Sequence, residues 1–138
     1  AGDTTEGILV RLNEITYYKP EKLFLLIGIN DLFHNPDVVD KIHGNILKIV
    51  AEINTKSPNT QIFVQSVLPT TTDSLIPKIK NLNAELENSS FEKPYRFINL
   101  HQRFKRLDGK MNMDFSTDGV HLNEKGYQIW SEIIKNIL

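Results

Sequence analysis

Apolar residues recur along the chain with two different spacings. Spacings of three or four residues predict amphipathic helices, whereas short and nearly continuous apolar runs predict strands buried in a sheet. The predicted strands are 22–28 (KLFLLIG), 61–68 (QIFVQSVL) and 95–100 (YRFINL). The predicted helices run from Thr4 or Thr5 to Pro20, from Pro36 to Lys56, from Leu75 to Glu87 and from about Asn123 onwards. Because strands and helices alternate, the pattern predicts βαβ units and a parallel sheet.

Each predicted helix has an apolar face that we expect to pack against the sheet. In the second helix this face consists of Val39, Ile42, Ile46, Ile49, Val50 and Ile53. In the last helix it consists of Tyr127, Trp130, Ile133, Ile134 and Ile137. The ranges 29–35 and 101–120 are predicted to be loops. No repeat, linker or low-complexity tract interrupts the pattern, which therefore predicts that 1–138 belongs to one domain.

The composition narrows the classes of function. The chain has 138 residues, of which 40% are hydrophobic and 24% charged, as in a globular domain with a hydrophobic core. The net charge of −1 gives no electrostatic reason to expect nucleic acid or an anionic membrane as a partner. The absence of cysteine excludes disulfides and thiolate catalysis. No apolar run reaches the roughly 18 residues of a membrane span, and the sequence predicts no compartment.

The strongest candidate for chemistry is the pair Asp118 and His121, in a polar loop before the last predicted helix. A carboxylate three residues before a histidine can reach the imidazole, fix its tautomer and stabilise its protonated form, as a general base requires. Alternatively, Asp118 caps the loop and His121 is an ordinary residue at a helix start. The other histidines show no metal-ligand spacing, and no metal site is predicted.

A second candidate follows the first predicted strand, because sites in open parallel sheets form at the carboxyl ends of strands. Gly28 permits a tight turn there, Asn30 can donate its side-chain amide to an oxyanion, and Asp31 can hold the loop. An ordinary Asn-Asp turn is the alternative. A third candidate is Gly2, just before a helix start, whose N–H can face an anion or belong to a plain helix cap.

These motifs occur in an order that resembles the SGNH/GDSL hydrolase family, whose four blocks supply Ser, Gly, Asn and His. The matching text is 2–5 (GDTT), 28–31 (GIND) and 118–121 (DGVH), with similar flanks at 67–69 (VLP) and 117–127 (TDGVHLNEKGY). The resemblance spans the chain, and within the family it looks closest to the bacterial branch similar to platelet-activating-factor acetylhydrolases. It implies a flavodoxin-like three-layer α/β/α sandwich with a parallel sheet.

The resemblance also implies roles for the residues that match. His121 is expected to be the general base and Asp118 its partner, while Asn30 and Gly2 form the oxyanion hole and Gly28 and Asp31 support the loop. The expected substrate is a small carboxylic ester, and no cofactor is expected. The block with the nucleophilic serine is missing, and none of the chain's serines has the matching context: Ser57, Ser66, Ser74, Ser89, Ser90, Ser116 and Ser131.

The missing block implies that 1–138 is the C-terminal part of one such domain, without its first strands. A central strand buries about four large aliphatic side chains at roughly 1.5–3 kcal/mol each, a sum comparable to the net stability of a domain. We therefore expect the open sheet edge to pair with the missing N-terminal segment or with a second copy. The chain by itself is expected to be inactive toward esters.

One alternative function of a different class stays open on the same fold, and a second is disfavoured by the sequence. A non-catalytic binding or interaction module predicts that the gene has no Gly-Asp-Ser block upstream of Ala1. A flavodoxin-like nucleotide binder would need a Gly-rich phosphate loop, which this sequence lacks.

Overall fold

The structure is a computed structural model that describes residues 4–35 and 39–137. Three strands and seven α-helices lie in these ranges, together with a short 3₁₀ helix at Asp73–Leu75. The strands are β1 (Lys22–Leu25), β2 (Gln61–Gln65) and β3 (Arg96–Ile98). The helices are α1 (Thr5–Val10), α2 (Leu12–Tyr17), α3 (Ile29–His34), α4 (Val39–Lys56), α5 (Ile76–Ser89), α6 (His101–Phe104) and α7 (Glu124–Ile137).

The strands form the predicted parallel sheet, in the order β1-β2-β3. In the register, Lys22 pairs with Gln61 and Gln65 pairs with Ile98. All three strands are shorter than the apolar runs that predicted them, because the last residues of each run leave the ladder to form loops. These loops lie at the carboxyl edge of the sheet, where the predicted site residues follow β1.

One face of the sheet is covered by α1, α2, α4 and α5. Side chains alternate between the two faces of a strand, and Leu25, Ile62 and Val64 point to this one. The predicted apolar face of α4 packs here, and its Ile42, Ile46, Ile49, Val50 and Ile53 are buried, as are Ile79, Leu82 and Leu86 of α5. This layer forms the larger hydrophobic core.

The other face carries Phe24 and Phe63, whose rings stack with centroids 4.7 Å apart. Phe104 of α6 and Met111 are buried against it, and α7 lies over it. Helices on both faces give the predicted three-layer α/β/α arrangement. The α7 cover is incomplete, because Trp130, Ile133, Ile134 and Ile137 are only partly buried and Tyr127 is 57% exposed. The prediction that Tyr127 points inward is therefore wrong.

Three local predictions also need correction. The range 101–120 is not a loop throughout, because it begins with the short helix α6. The range after β1 is the short helix α3 rather than a loop, and its first turn includes Asn30 and Asp31. The first predicted helix is two helices, because the chain bends at Arg11, where ψ is 6° and the N–H is shared between the carbonyls of Gly7 and Ile8. In the described ranges, no helix is long and apolar enough to cross a membrane.

Candidate active site

The structure joins Asp118 and His121 through their side chains. Asp118 Oδ2 lies 2.7 Å from His121 Nδ1, and Asp118 Oδ1 accepts the backbone N–H groups of Val120 and His121 at 2.9 and 2.8 Å. The carboxylate therefore both caps the turn and holds the imidazole. A carboxylate at Nδ1 favours the proton on that nitrogen, which leaves Nε2 as the acceptor that a general base needs.

The electrostatics of the pair favour a charged Asp118. The side-chain hydrogen bond with His121, followed by the backbone N–H groups of His121 and Val120, holds the pKa of Asp118 well below its ordinary value. The carboxylate therefore stays ionised through the neutral range and can stabilise an imidazolium. Both side chains are accessible, with 73% of His121 and 53% of Asp118 exposed.

The buried side chain of Ser116 stabilises the loop that carries this pair. Ser116 Oγ accepts the N–H of Gly119 at 2.9 Å and lies 3.3 Å from Asp118 Oδ1. Gly119 has φ of 81°, and its carbonyl accepts the N–H of Thr71 at 3.2 Å. A Cβ at residue 119 would collide with the side chain of Thr71, so the left-handed backbone and the close approach of Thr71 both favour glycine here.

The turn after β1 and the start of α3 form a second part of the site. Gly28 has φ of 123°, and a Cβ there would lie 3.3 Å from Leu82 and Val67. The turn at Gly28 leads directly into α3, which carries Asn30. Asn30 and His121 border the same cavity of about 420 Å³, whose lining is mainly apolar and includes Phe24, Leu26, Tyr127 and Trp130. The structure therefore gathers these two predicted residues around one space.

Asp31 faces away from this space and towards the start of α1. Its carboxylate accepts the N–H and the hydroxyl of Thr5. Thr4 is the N-cap of α1, with Oγ accepting the N–H of Gly7 at 3.2 Å. Gly2 lies outside the described residues, so its role as an oxyanion donor stays a prediction.

Another histidine has serine and carboxylate neighbours between α4 and α5. His43 Nε2 lies 2.7 Å from Ser89 Oγ, and its Nδ1 lies 3.4 Å from Glu85 Oε2. The N–H groups of residues 90–92 already donate to carbonyls of α5, and Ser89 sits at the negative end of that helix. These N–H groups are therefore not available to an oxyanion, and the cluster forms a polar connection between α4 and α5.

Serine is absent from the lining of the cavity at His121, as far as the described residues go. Ser66 Oγ accepts the N–H groups of Leu100 and His101, and Ser57 bonds Thr60, and neither serine lines this cavity. Nor do any three or more His, Asp or Glu side chains within 4–35 and 39–137 form a group that could hold a metal ion.

Sequence reasoning missed several residues that support the site. Ser116 and Thr71 hold the histidine loop, and Trp130 is fixed beside the cavity by a 2.7 Å hydrogen bond from its Nε1 to Gln65 Oε1. Asn45 is a polar residue on the inward face of α4. A polar side chain at a buried helix position was the available signal for Asn45, because buried amides require partners.

Comparison with known proteins identifies the family. The model of the GDSL-like Lipase/Acylhydrolase family matches residues 1–129. The chain therefore belongs to this family, and the prediction of an SGNH/GDSL hydrolase is confirmed. Platelet-activating factor acetylhydrolase IB subunit alpha2 of Rattus norvegicus is 28% identical over 131 residues, which cover 91% of this chain and 56% of that protein. The chain thus spans little more than half the length of this curated relative.

Solved structures support the same fold. A GDSL-like lipase from Bacteroides thetaiotaomicron superposes with a TM-score of 0.87 at 26% identity, covering 99% of this chain and 71% of that one. A family 3 carbohydrate esterase from Clostridium thermocellum superposes with a TM-score of 0.71 at 25% identity, covering 99% of this chain and 65% of that one. The three-layer α/β/α class is therefore confirmed.

Proposed function

We propose that the intact protein hydrolyses small carboxylic esters, with His121 as the general base and a nucleophilic serine supplied from outside this chain. The observation that carries the proposal is the Asp118–His121 hydrogen bond of 2.7 Å at the rim of a cavity that Asn30 also borders. Membership of the GDSL-like lipase/acylhydrolase family supports the reaction class. The relatives named above as a lipase, an acetylhydrolase and an esterase support it further.

The reaction proceeds through an acyl-enzyme. The serine hydroxyl attacks the acyl carbonyl while His121 Nε2 takes its proton, and the resulting imidazolium gives that proton to the departing alcohol. Water then attacks the acyl-serine with His121 again as base, which releases the carboxylic acid and restores the serine. Asp118 stays ionised throughout and stabilises the imidazolium at each step.

The oxyanion of each tetrahedral intermediate needs donors opposite the base. The Asn30 side-chain amide and the Gly2 N–H fill this role in the proposal, each contributing about 3–4 kcal/mol of transition-state stabilisation. The start of α3 suits Asn30 to this task, because Gly28 sets the backbone turn that leads into this helix.

The serine is expected on a strand that pairs with β1. β1 bonds β2 along one edge, and in the described part of the chain no strand bonds its other edge. Phe24 is only partly buried and Leu26 is 44% exposed beside this edge and the cavity. A strand ending in serine at this position would cover these side chains and deliver its hydroxyl to the same rim as His121.

The enzymatic test uses the full-length gene product and p-nitrophenyl acetate. His121→Ala and Asp118→Asn are each expected to lower kcat by about 10⁴-fold or more, because each removes the base or its correct tautomer. His34→Ala is the matched control, since His34 is exposed and does not border the cavity. This control variant should retain wild-type activity.

Two results would refute the catalytic assignment. One is an active full-length protein in which His121→Ala keeps its rate. The other is hydrolysis by the 138-residue chain alone that survives the same substitution, since this chain is proposed to be inactive without the serine segment.

The pairing of β1 has its own test. Light scattering and hydrogen exchange on the 138-residue chain, with and without a peptide covering the upstream segment, should show binding of the peptide and protection of β1 amides. A stable dimer of the chain that ignores the peptide would favour a second copy as the partner. A monomer that neither binds nor changes would refute the pairing.

A non-catalytic module remains the second candidate, favoured by the lack of serine around His121 in the described residues. It predicts a ligand bound in the cavity without turnover. The codons upstream of Ala1 discriminate between the two functions, because only the hydrolase requires a Gly-Asp-Ser block there.

A further inference from the structure

Asn45 is an amide buried in an apolar surface. It lies on the inward face of α4, between Ile42 and Ile49, and only 7% of it is exposed. An unpaired amide in such a place costs several kcal/mol, and buried polar groups therefore have partners. The partner of Asn45 is distant in sequence, because its Nδ2 donates to Thr5 Oγ at 3.0 Å.

The direction of each hydrogen bond at Thr5 is fixed by proton count. The Thr5 hydroxyl has one proton, which it donates to Asp31 Oδ2 at 2.6 Å. Its oxygen must therefore accept the proton from Asn45. The backbone N–H of Thr5 also donates to the Asp31 carboxylate, at 3.0 and 3.2 Å. The result is a series of hydrogen bonds in which Asn45 donates to Thr5 and Thr5 donates to Asp31.

These hydrogen bonds connect the two segments that carry the proposed oxyanion donors. Thr5 is the first residue of α1 and follows the segment with Gly2, while Asp31 is adjacent to Asn30 in the first turn of α3. Thr5 is fully buried and Asp31 is partly buried, so water has little access to the middle of this connection, where it would compete for the hydrogen bonds.

We propose that Asn45 is a positioning residue, which sets the start of α1 and the Asn30 turn at the spacing that an oxyanion requires. The proposal rests on the proposed esterase function. Asn45 does not border the cavity, so it acts only through Thr5 and Asp31. Loss of this spacing should weaken transition-state binding more than substrate binding, which lowers kcat and leaves KM nearly unchanged.

The test measures kcat and KM of the full-length gene product with p-nitrophenyl acetate. Asn45→Asp keeps the size of the side chain but replaces the amide donor with a carboxylate. This carboxylate would face the Thr5 hydroxyl oxygen, whose only proton is already donated to Asp31. Thr5→Val keeps the shape and removes the hydroxyl. Both variants are expected to lower kcat by about 10- to 100-fold, as misplacement by about 1 Å does elsewhere. Thr5→Ser restores the hydroxyl and should restore kcat.

Ile46→Val is the matched control for stability. Ile46 is next to Asn45 in α4 and is also buried, but it takes no part in these hydrogen bonds, so the kcat of Ile46→Val should equal that of the wild type. A folded Asn45→Asp variant with wild-type kcat would overturn the inference. If Asn45→Asp fails to fold, the comparison of Thr5→Val with Thr5→Ser decides, and equal kcat in those two overturns it as well.

The failures of the two proposals are distinguishable. An inactive wild-type protein refutes the esterase function and this inference with it. An active wild-type protein with unaffected variants refutes only the positioning role.

Discussion

The two faces of the sheet are packed unequally. On the face covered by α4 and α5, side chains such as Ile49 and Leu82 are fully buried. On the face covered by α7, the isoleucines of this helix are only partly buried, and Gly126 is its one buried residue. The proposed catalytic residues lie at the edge of the less covered face, where His121 precedes α7.

This difference indicates a division of roles. Burial of apolar area is the main source of stability, so the α4–α5 face should contribute most of the free energy of unfolding. The α7 face leaves room at its edge for a ligand and for a further strand beside β1. Substitutions on the first face should therefore change stability, whereas changes at the edge of the second should change activity.

The largest expected effect on stability comes from a matched pair of truncations. Ile49→Ala, at a site with no exposed surface, should lower the free energy of unfolding by about 2–5 kcal/mol. Ile133→Ala in α7, where the side chain is partly buried, should cost about 1 kcal/mol. Urea denaturation of both variants of the full-length protein checks the difference. Equal losses would show that the faces contribute equally.

The next largest effect on stability is expected from substitutions of glycine. Gly119→Ala should lower the free energy of unfolding by about 1–2 kcal/mol from its left-handed backbone alone. The contact with Thr71 adds to this cost and should displace the Asp118–His121 loop, which should also lower the proposed esterase activity. The double variant Gly119→Ala with Thr71→Ala should recover the part of the lost stability that is due to this contact.

Gly44→Ala is the control for the glycine prediction. Gly44 lies within α4, and a Cβ there would meet nothing within 4 Å. Alanine should stabilise the protein by about 0.5–1 kcal/mol, because it favours the helix. If both glycine variants change thermal stability in the same direction, the explanation of Gly119 is wrong.

The smallest effect concerns pH at the polar connection between α4 and α5. Burial, and then the hydrogen bond and charge of Asp40, raise the pKa of Glu85 above its ordinary 4.5, although the charge of His43 opposes this. The folded state thus holds a proton on Glu85 more tightly than the unfolded state. Protonated Glu85 therefore contributes its full stabilisation below pH 4.5, and this contribution is lost as the pH rises through the raised pKa.

Glu85→Gln tests this sign, because the amide cannot release a proton. The wild type should lose stability relative to this variant as the pH rises from about 4 towards 7, by about 0.2–1 kcal/mol for a partly exposed group. Thermal melts across that range measure the difference. Glu87→Gln, at an exposed position of the same helix, is the control, and a flat difference for Glu85→Gln would contradict the shift.

The features predicted correctly from the sequence depend on short spacings. The inward face of α4 follows from apolar residues three and four positions apart, and the structure buries nearly all of them. Asp118 and His121 are three residues apart, so one turn brings their side chains together. Tyr127 was predicted wrongly, because helical spacing reports a preferred face but not whether another layer covers that face.

The sequence by itself determined the alternation of elements, the parallel sheet and the residues that could do chemistry, because each of these follows from local spacing. Tertiary structure decided that Asn30 and His121 border one cavity and that Asn45 reaches Asp31 through Thr5. Thr5 and Asp31 are 26 positions apart in the chain, and Asn30 and His121 are 91 positions apart. No local pattern encodes them, since they depend on how the folded strands and helices bring their loops together.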